Sequence, residues 1–133
     1  SDFEYKLSKL INIFGSISIT RGENLTRNTP LAYMPPDKFL FSTEINFEPL
    51  LFSWTFKRVL EQNRLSEFET ETEGYFVNNL NVAYTIHSST VMQKVIFQAE
   101  NIFNQEYYNH LSRIKLVMPE KGRSINLQYR LVF

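Results

Sequence analysis

The sequence predicts an all-β protein of antiparallel, up-and-down strands of the kind that form a transmembrane β-barrel. Three observations predict this class. Long segments alternate apolar and polar residues, aromatic residues are abundant (twelve Phe, seven Tyr and one Trp), and the connections between segments are alternately long and short. Alternation with period two gives a strand one apolar and one polar face. About 9–11 such residues cross a bilayer at a tilt.

The clearest strand is the last one, residues 122–133, with the sequence GRSINLQYRLVF. One predicted face is apolar and consists of Ile125, Leu127, Tyr129, Leu131 and Phe133. The other is mostly polar and consists of Ser124, Asn126, Gln128, Arg130 and Val132. Fraying tails are normally short and polar, whereas this segment stays regular up to an aromatic residue. We therefore expect its apolar face to contact lipid and its polar face to line a lumen.

Five further strands are predicted before it, at residues 5–20, 38–48, 50–62, 75–86 and 91–102. In the first of them, Gly15 leaves a gap in the apolar row and Phe14 interrupts the polar one. The connections are polar loops at 21–37, 63–73 and 103–121, and short turns at 48–49 and 87–90. Up-and-down order places the long loops on one side and the turns on the other. Outer-membrane barrels have this asymmetry, with the long loops outside the cell.

Composition excludes several other classes. The formal net charge is zero and no basic block is present, so nucleic-acid binding has no electrostatic support. Without cysteine there is no disulfide framework and no thiolate zinc site. No apolar run is long enough for a transmembrane helix. No G-x-S-x-G nucleophile motif or phosphate-binding glycine loop occurs, so we expect neither an enzyme nor a cofactor.

Six strands are too few to close a membrane barrel, since the smallest have about eight. An open sheet of amphipathic strands would expose two unpaired edges to lipid, which is very costly. We therefore expect this chain to be a fragment, with the remaining strands before Ser1. No signal peptide is visible at Ser1, so we expect the natural N-terminus to be missing or removed.

Several segments together resemble the TonB-dependent outer-membrane receptors. Residues 100–108, ENIFNQEYY, resemble the N-L-F-(D/N)-x-x-Y element of that family. NHLS at 109–112 and PEKGR at 119–123 resemble the N-H-x-S and P-x-(P/G)-G-R stretches that lead into its last strand. MPPDKF at 34–39 is similar to I-P-P-x-R-(F/L), and EFETETEGY at 67–75 is similar to E-x-x-T-x-G-Y. The resemblance covers the chain from about Thr20 onward.

The resemblance implies that this chain is the C-terminal segment of a 22-stranded barrel in the outer membrane of a Gram-negative bacterium. The complete receptor would import a scarce nutrient, such as a metal ion, metal chelate, haem, vitamin or glycan. Its implied partners are the remaining barrel strands, a plug domain, the TonB complex, the barrel-assembly machinery and outer-membrane lipid. The plug and the TonB box are absent from this chain, so no TonB-contacting residue is assigned. The E-x-x-T-x-G-Y and N-H-x-S features resemble the branch associated with zinc or other metals.

The candidate ligand-binding residues lie in two long loops. His110 is a candidate metal or ligand contact, but a single histidine without near partners is a poor metal site. The alternative, a solvated or loop-packing histidine, is favoured. Glu67, Glu69 and Glu71, followed by Glu73, would share one face of an extended chain and could gather a cation through oxygen ligands. The alternative here is an acidic, solvated loop, which is again favoured.

Other residues are assigned to the two faces of the strands. The residues predicted to face the lumen or its rim are Glu44, Lys57, Lys94, Glu100, Arg123, Gln128 and Arg130. Candidates for interfacial aromatic girdles are Trp54, Tyr75, Tyr84, Tyr107 and Tyr108, with ordinary packing as the alternative. The resemblance implies that Tyr129, Leu131 and Phe133 belong to the terminal signal read by the assembly machinery.

Two other functions remain open on the sequence alone. The first is a soluble all-β ligand-binding module, a sandwich or lipocalin-like barrel that buries the same apolar faces inward. The second is a small porin-like barrel assembled from several chains. Strand length, one-sided loop lengths and the family-like C-terminal third favour the transporter.

Overall fold

The computed structural model describes residues 1–133 and contains nine strands. No helix long and apolar enough to span a membrane is present. The strands are β1 (Asp2–Lys6), β2 (Ile11–Ser18), β3 (Glu23–Asn24), β4 (Thr29–Pro30), β5 (Lys38–Phe47), β6 (Leu50–Val59), β7 (Tyr75–His87), β8 (Met92–Glu100) and β9 (Ser124–Val132).

Seven of the strands form one sheet in the order β1-β2-β5-β6-β7-β8-β9, and every neighbouring pair is antiparallel. The strands β3 and β4 form a separate small hairpin inside the connection between β2 and β5. The sheet does not close on itself, and β1 and β9 are its edges. The predicted all-β, antiparallel, up-and-down class is confirmed, whereas the closed barrel stays a prediction.

The prediction of a single first strand at residues 5–20 was wrong, and with it the count of six. The segment is a hairpin of β1 and β2, paired from Asp2–Ser16 to Lys6–Asn12. The chain reverses at residues 7–10, where the Ser8 hydroxyl accepts the N–H groups of Leu10 and Ile11 at 3.1 and 3.2 Å. A serine side chain of this kind competes with the sheet ladder for backbone donors and so favours a turn.

The five other predicted strands are confirmed, with ends that differ by at most three residues. The long connections cover residues 19–37, 60–74 and 101–123, and the short ones cover 7–10, 48–49 and 88–91. Because consecutive strands of the sheet are adjacent and antiparallel, all three long loops lie at one end and all three turns at the other. The predicted asymmetry of the connections is therefore confirmed.

The two faces of the sheet differ sharply in polarity. One cross-strand row on the apolar face contains Ile45, Phe52, Val82, Phe97 and Leu127. The adjacent row on the opposite face contains Glu44, Ser53, Asn81, Gln98 and Asn126. No loop covers the apolar face at β9, where Leu127 is 70% exposed. Only five hydrophobic residues in the whole chain are buried, too few for the core of a soluble domain of this length.

Gly15 does not leave a gap on the apolar face. Its partner in the register is Phe3 on β1, and the Phe3 ring occupies the space that a Cβ at position 15 would need. An aromatic residue that covers a glycine on the neighbouring strand is a recurrent way of filling such gaps in β-sheets. Phe3 thus restores the continuity of the apolar surface.

One polar pair lies within the apolar face. The indole Nε1 of Trp54 donates to Oδ1 of Asn78 over 3.2 Å, and Asn78 is buried. The Trp54 ring packs edge-on against Phe41 and stacks with Phe56, at centroid distances of 6.0 and 6.4 Å. The hydrogen bond explains how an asparagine is tolerated in this row, because a buried amide oxygen without a donor would be costly.

We expect Trp54→Phe to lower the free energy of unfolding by about 1–3 kcal/mol, because it leaves the Asn78 oxygen unpaired. The double variant Trp54→Phe/Asn78→Leu should be more stable than the single variant, since it removes both polar partners. Denaturant titration of the folded protein measures both. If the two substitutions act additively, the hydrogen bond is not what stabilises this part of the face.

Candidate functional site

A pocket of about 440 Å³ lies at the long-loop end of the sheet, between the β6–β7 and β8–β9 loops. Its lining combines three carboxylates, one ammonium group and three phenol rings. These are Glu71, Glu73, Glu106, Lys115, Tyr75, Tyr107 and Tyr108. The mixed lining offers hydrogen-bonding, charged and aromatic groups to anything that enters.

The floor of this pocket is a stacked pair of tyrosines. Tyr107, from the β8–β9 loop, lies on Tyr75 with ring centroids 4.3 Å apart and planes at 28°. Lys57 Nζ lies 5.6 Å from the Tyr75 ring and 5.9 Å from the Tyr107 ring, within the range of a cation–π interaction. Tyr107 also packs against a small buried cluster of Val59, Tyr75 and Val77. The stack anchors the loop on the strands.

The assignment of Tyr75 and Tyr107 to an aromatic girdle is corrected by this geometry. Tyr75 pairs with Val59, two residues beyond the Lys57–Val77 pair, so it lies on the polar face of the sheet. A girdle residue would lie on the opposite, apolar face. Trp54 and Tyr84 do lie on the apolar face, since Trp54 pairs with Leu80 and Tyr84 pairs with Leu50 and Val95.

His110 is buried at the junction of the long loops, with only 3% of its surface exposed. Its Nδ1 is 2.9 Å from the Thr72 hydroxyl and 3.2 Å from Lys115 Nζ. Its Nε2 is 3.6 Å from Oε1 of Glu69, too long for a hydrogen bond, and has no other partner. Burial, followed by the charge of Lys115, lowers the pKa of His110, and Glu69 opposes this shift.

Glu69 is held by backbone donors from two loops. Tyr33 N–H donates to Oε1 at 2.7 Å and Ser66 N–H donates to Oε2 at 2.8 Å. Burial raises the pKa of Glu69, but these N–H groups, with His110 and Lys115, lower it below the ordinary value. Glu69 is therefore a carboxylate with both oxygens engaged.

The glutamates do not share one face, contrary to the expectation from an extended chain. Phe68 adopts a left-handed backbone, with φ of 69°, which breaks the alternation between Glu67 and Glu69. Glu67 lies 3.3 Å from Arg27, whereas Glu71 lines the pocket. No group of three or more His, Cys, Asp or Glu side chains is placed to hold a metal ion. Of the predicted ligand residues, the fold brings together only His110 and Glu69.

The strand residues predicted to face a lumen or its rim lie on one face of the sheet, whereas Arg123 lies in the loop just before β9. Glu44 shares the row of Ser53, Asn81 and Gln98. Lys57, Lys94, Glu100, Gln128 and Arg130 lie on the same face, because each is an even number of residues along its strand from a member of that row. Lys94 pairs with Arg130, so two cations lie side by side near the short turns. Glu100 lies 3.4 Å from Lys121. That this face lines a lumen stays a prediction.

The segment that resembles N-L-F-(D/N)-x-x-Y has a structural role. Asn101 is 3% exposed, and its amide nitrogen donates to the carbonyls of Gln105 and Lys121 at 2.8 and 3.4 Å. Its Oδ1 accepts the Gln105 N–H at 2.9 Å. Oδ1 of Asn104 accepts the Arg123 N–H at 2.9 Å. Both asparagines have left-handed backbones, with φ of 48° and 52°, a conformation that asparagine adopts more readily than most residues.

Sequence reasoning missed Thr72 and Lys115 as partners of His110. Thr72 is 38 residues from His110 in the chain, and neither loop carries a local pattern that predicts their contact. Tyr129 and Leu131, predicted as part of an assembly signal, lie on the exposed edge strand β9, and Phe133 follows that strand with 93% of its surface exposed.

Comparison with known proteins shows a similarity in structure but none in sequence families. No protein-family profile matches the sequence, and no curated protein matches it. Among solved structures, a chain described as "Copper transporter OprC" superposes on 93% of this chain with a TM-score of 0.84 and 21% identity. This chain spans only 21% of the length of that transporter chain. At this identity the likeness shows the fold alone, and the present chain has the fold of about one fifth of a copper transporter.

Proposed function

We propose that this chain is the C-terminal part of the β-barrel of a TonB-dependent outer-membrane receptor that imports a metal ion, metal chelate, haem or similar scarce nutrient. The observation that carries the proposal is the uncovered apolar face of a sheet whose last five strands have 9–13 residues. Strands of this length and alternation suit a tilted passage through a bilayer.

The opposite face supports transport rather than a soluble binding module. A soluble sandwich or lipocalin-like barrel would bury its apolar face against a second layer or inside a barrel. Here the charged and amide side chains share the other face, and Leu127, Tyr129 and Ile125 are left exposed on β9. Lipid would cover that apolar surface, and water or a plug domain would solvate the polar one.

The partners follow from the same proposal. Strands supplied by the rest of the receptor pair with the open edges β1 and β9, because unpaired edges are not tolerated in lipid. A plug domain fills the lumen, the TonB complex transmits energy to the plug, and the barrel-assembly machinery reads the segment that ends in Phe133. One solved structure with the same fold is described as a copper transporter, and this supports a metal as the proposed cargo.

The test uses the full-length native protein in its Gram-negative host. We expect it in the outer-membrane fraction, with a gel mobility that shifts on heating. Deleting it should reduce cellular uptake of at least one of copper, zinc or iron when that metal is scarce, and loss of TonB should reduce uptake equally. Uptake of a small porin substrate serves as the control and should not change. A protein that is soluble and monodisperse without detergent would instead be a β binding module.

A further inference from the structure

The three long loops are joined by a cluster of four side chains, here called the latch: Glu69, Thr72, His110 and Lys115. Glu69 and Thr72 belong to the β6–β7 loop, and His110 and Lys115 belong to the β8–β9 loop. Glu69 reaches the β2–β5 loop through the backbone N–H of Tyr33. Every hydrogen bond between the β6–β7 and β8–β9 loops involves His110 or Lys115.

Lys115 Nζ contacts three groups, two in the latch and the neighbouring Thr70 carbonyl. Its Nζ lies 2.7 Å from the Thr70 carbonyl, 2.9 Å from the Thr72 hydroxyl and 3.2 Å from Nδ1 of His110. An ammonium group only donates, so its contact with Nδ1, like that of the Thr72 hydroxyl, is satisfied when Nδ1 has a free lone pair. On this basis we assign a neutral imidazole with its proton on Nε2, which faces Glu69.

Protonation of His110 would convert Nδ1 from an acceptor into a donor that faces the ammonium of Lys115. The new cation would be buried, and it would lie next to a like charge. Glu69 opposes the resulting pKa shift across 3.6 Å, but burial and the charge of Lys115 outweigh it, and the pKa of His110 stays below its ordinary value. The titratable groups that face His110 are thus Lys115 on its own loop and Glu69 on the β6–β7 loop, while the β2–β5 loop contributes a backbone donor.

We propose that the latch is a pH-sensitive fastening, in which protonation of His110 releases the β8–β9 loop from the β6–β7 loop. Release also reshapes the pocket, because Thr72 and Lys115 belong to both the latch and the pocket wall. The exposed apolar segment at 114–118, which contains Lys115, would move with them. The device depends on the observed loop packing and not on the identity of any cargo.

The direction of the pH effect follows from proton linkage. Burial and Lys115 lower the pKa of His110 in the fastened state below its ordinary value of 6.5, so the fastened state binds fewer protons than the released one. The latch is therefore fully effective above about pH 6.5, and it weakens as the pH falls from there toward the lowered pKa. One proton is taken up, so the release equilibrium changes by at most about tenfold per pH unit.

Hydrogen–deuterium exchange of the full-length protein in outer membranes tests this, at several pH values from 7.5 down to about 5, with rates corrected for intrinsic exchange. We expect exchange in peptides covering 66–73 and 109–118 to accelerate by up to about tenfold per pH unit below pH 6.5, while β7 stays protected. His110→Asn keeps an acceptor near Nδ1 but does not titrate, and should abolish the acceleration. His87→Gln is the control: it replaces the other histidine of this chain, which lies at the opposite end of the sheet. This variant should keep the acceleration at low pH.

Two results would overturn the proposal: no acceleration in the wild-type protein, or the same acceleration in His110→Asn. Should His110→Asn fail to give a heat-modifiable barrel, Lys115→Met decides. That variant lacks the ammonium group, so its loops should already exchange faster at pH 7.5 and should accelerate less below pH 6.5 than those of the wild-type protein. Wild-type exchange rates at every pH in Lys115→Met would mean that Lys115 does not hold the loops together, and the latch would be rejected.

Discussion

Replacing Phe97 by arginine is expected to lower the free energy of unfolding in a bilayer by about 2–4 kcal/mol if the apolar face contacts lipid as proposed, since that is the cost of a cation exposed to lipid near mid-bilayer. Phe97 lies near the middle of β8, between Val82 and Leu127 on the apolar face. Gln98→Arg is a matched control, because the neighbouring side chain points to the polar face beside Asn81 and Asn126. Its cost should be close to zero.

Denaturant titration in lipid vesicles, with the folded fraction read from the heat-modifiable gel shift, gives the free energy of unfolding of each variant. The difference between the two variants matters more than either value, since both add the same charge to adjacent positions of one strand. If Gln98→Arg is as damaging as Phe97→Arg, the apolar face is not the lipid-facing one. If neither variant has an effect, β8 does not lie in a bilayer.

Asn101→Ala is expected to destabilise the long-loop end by about 2–4 kcal/mol. It removes three amide hydrogen bonds and leaves the N–H of Gln105 without its side-chain acceptor in a part-buried site. It also places alanine at φ of 48°, a conformation that a Cβ disfavours. Asn104→Ala is the comparison, because Asn104 makes one such bond, to the Arg123 N–H, and is exposed. Because Asn104 is also left-handed, with φ of 52°, the backbone strain is common to both variants. The cost of Asn104→Ala should therefore be smaller by about 1–3 kcal/mol, the contribution of the two additional hydrogen bonds of Asn101.

Local stability measured by hydrogen exchange at residues 101–108 separates the two variants. Asn101→Asp adds a finer comparison, since it keeps the acceptor for the Gln105 N–H but loses both donors. We expect it to fall between the alanine variant and the wild-type protein. Equal effects of Asn101→Ala and Asn104→Ala would mean that the buried network contributes little beyond a single turn bond.

The sheet was largely predictable because alternation with period two specifies which face each residue occupies. From β5 to β9 that pattern holds with few exceptions, such as Asn78, so both the strands and their faces follow from it. At the first hairpin the same reasoning failed, because Tyr5, Leu7, Ile11 and Ile13 share one row that only Lys9 interrupts, and the turn at 7–10 contains no glycine, proline or asparagine. The turn depends on hydrogen bonds from backbone N–H groups to the Ser8 hydroxyl, and such bonds produce no periodic pattern in the sequence.

The candidate site was predicted only in part. The loops that contain His110 and Glu69 were identified, but their contacts join residues 36 to 45 positions apart along the chain. Such contacts depend on how three loops pack, and loops lack the repeating pattern that positions a strand. The left-handed Phe68, which turns Glu67 and Glu69 apart, has no signal in its sequence, since phenylalanine rarely adopts that conformation.

The packing of Phe3 over Gly15 has a consequence for related sequences. One side chain fills the space of two positions, so neither position is free to change alone. A larger residue at 15 requires a smaller one at 3, and loss of the ring at 3 opens a hole that a larger residue at 15 would fill. In homologues these two positions should covary in side-chain volume, one small where the other is large, and the covariation should follow the β1–β2 register.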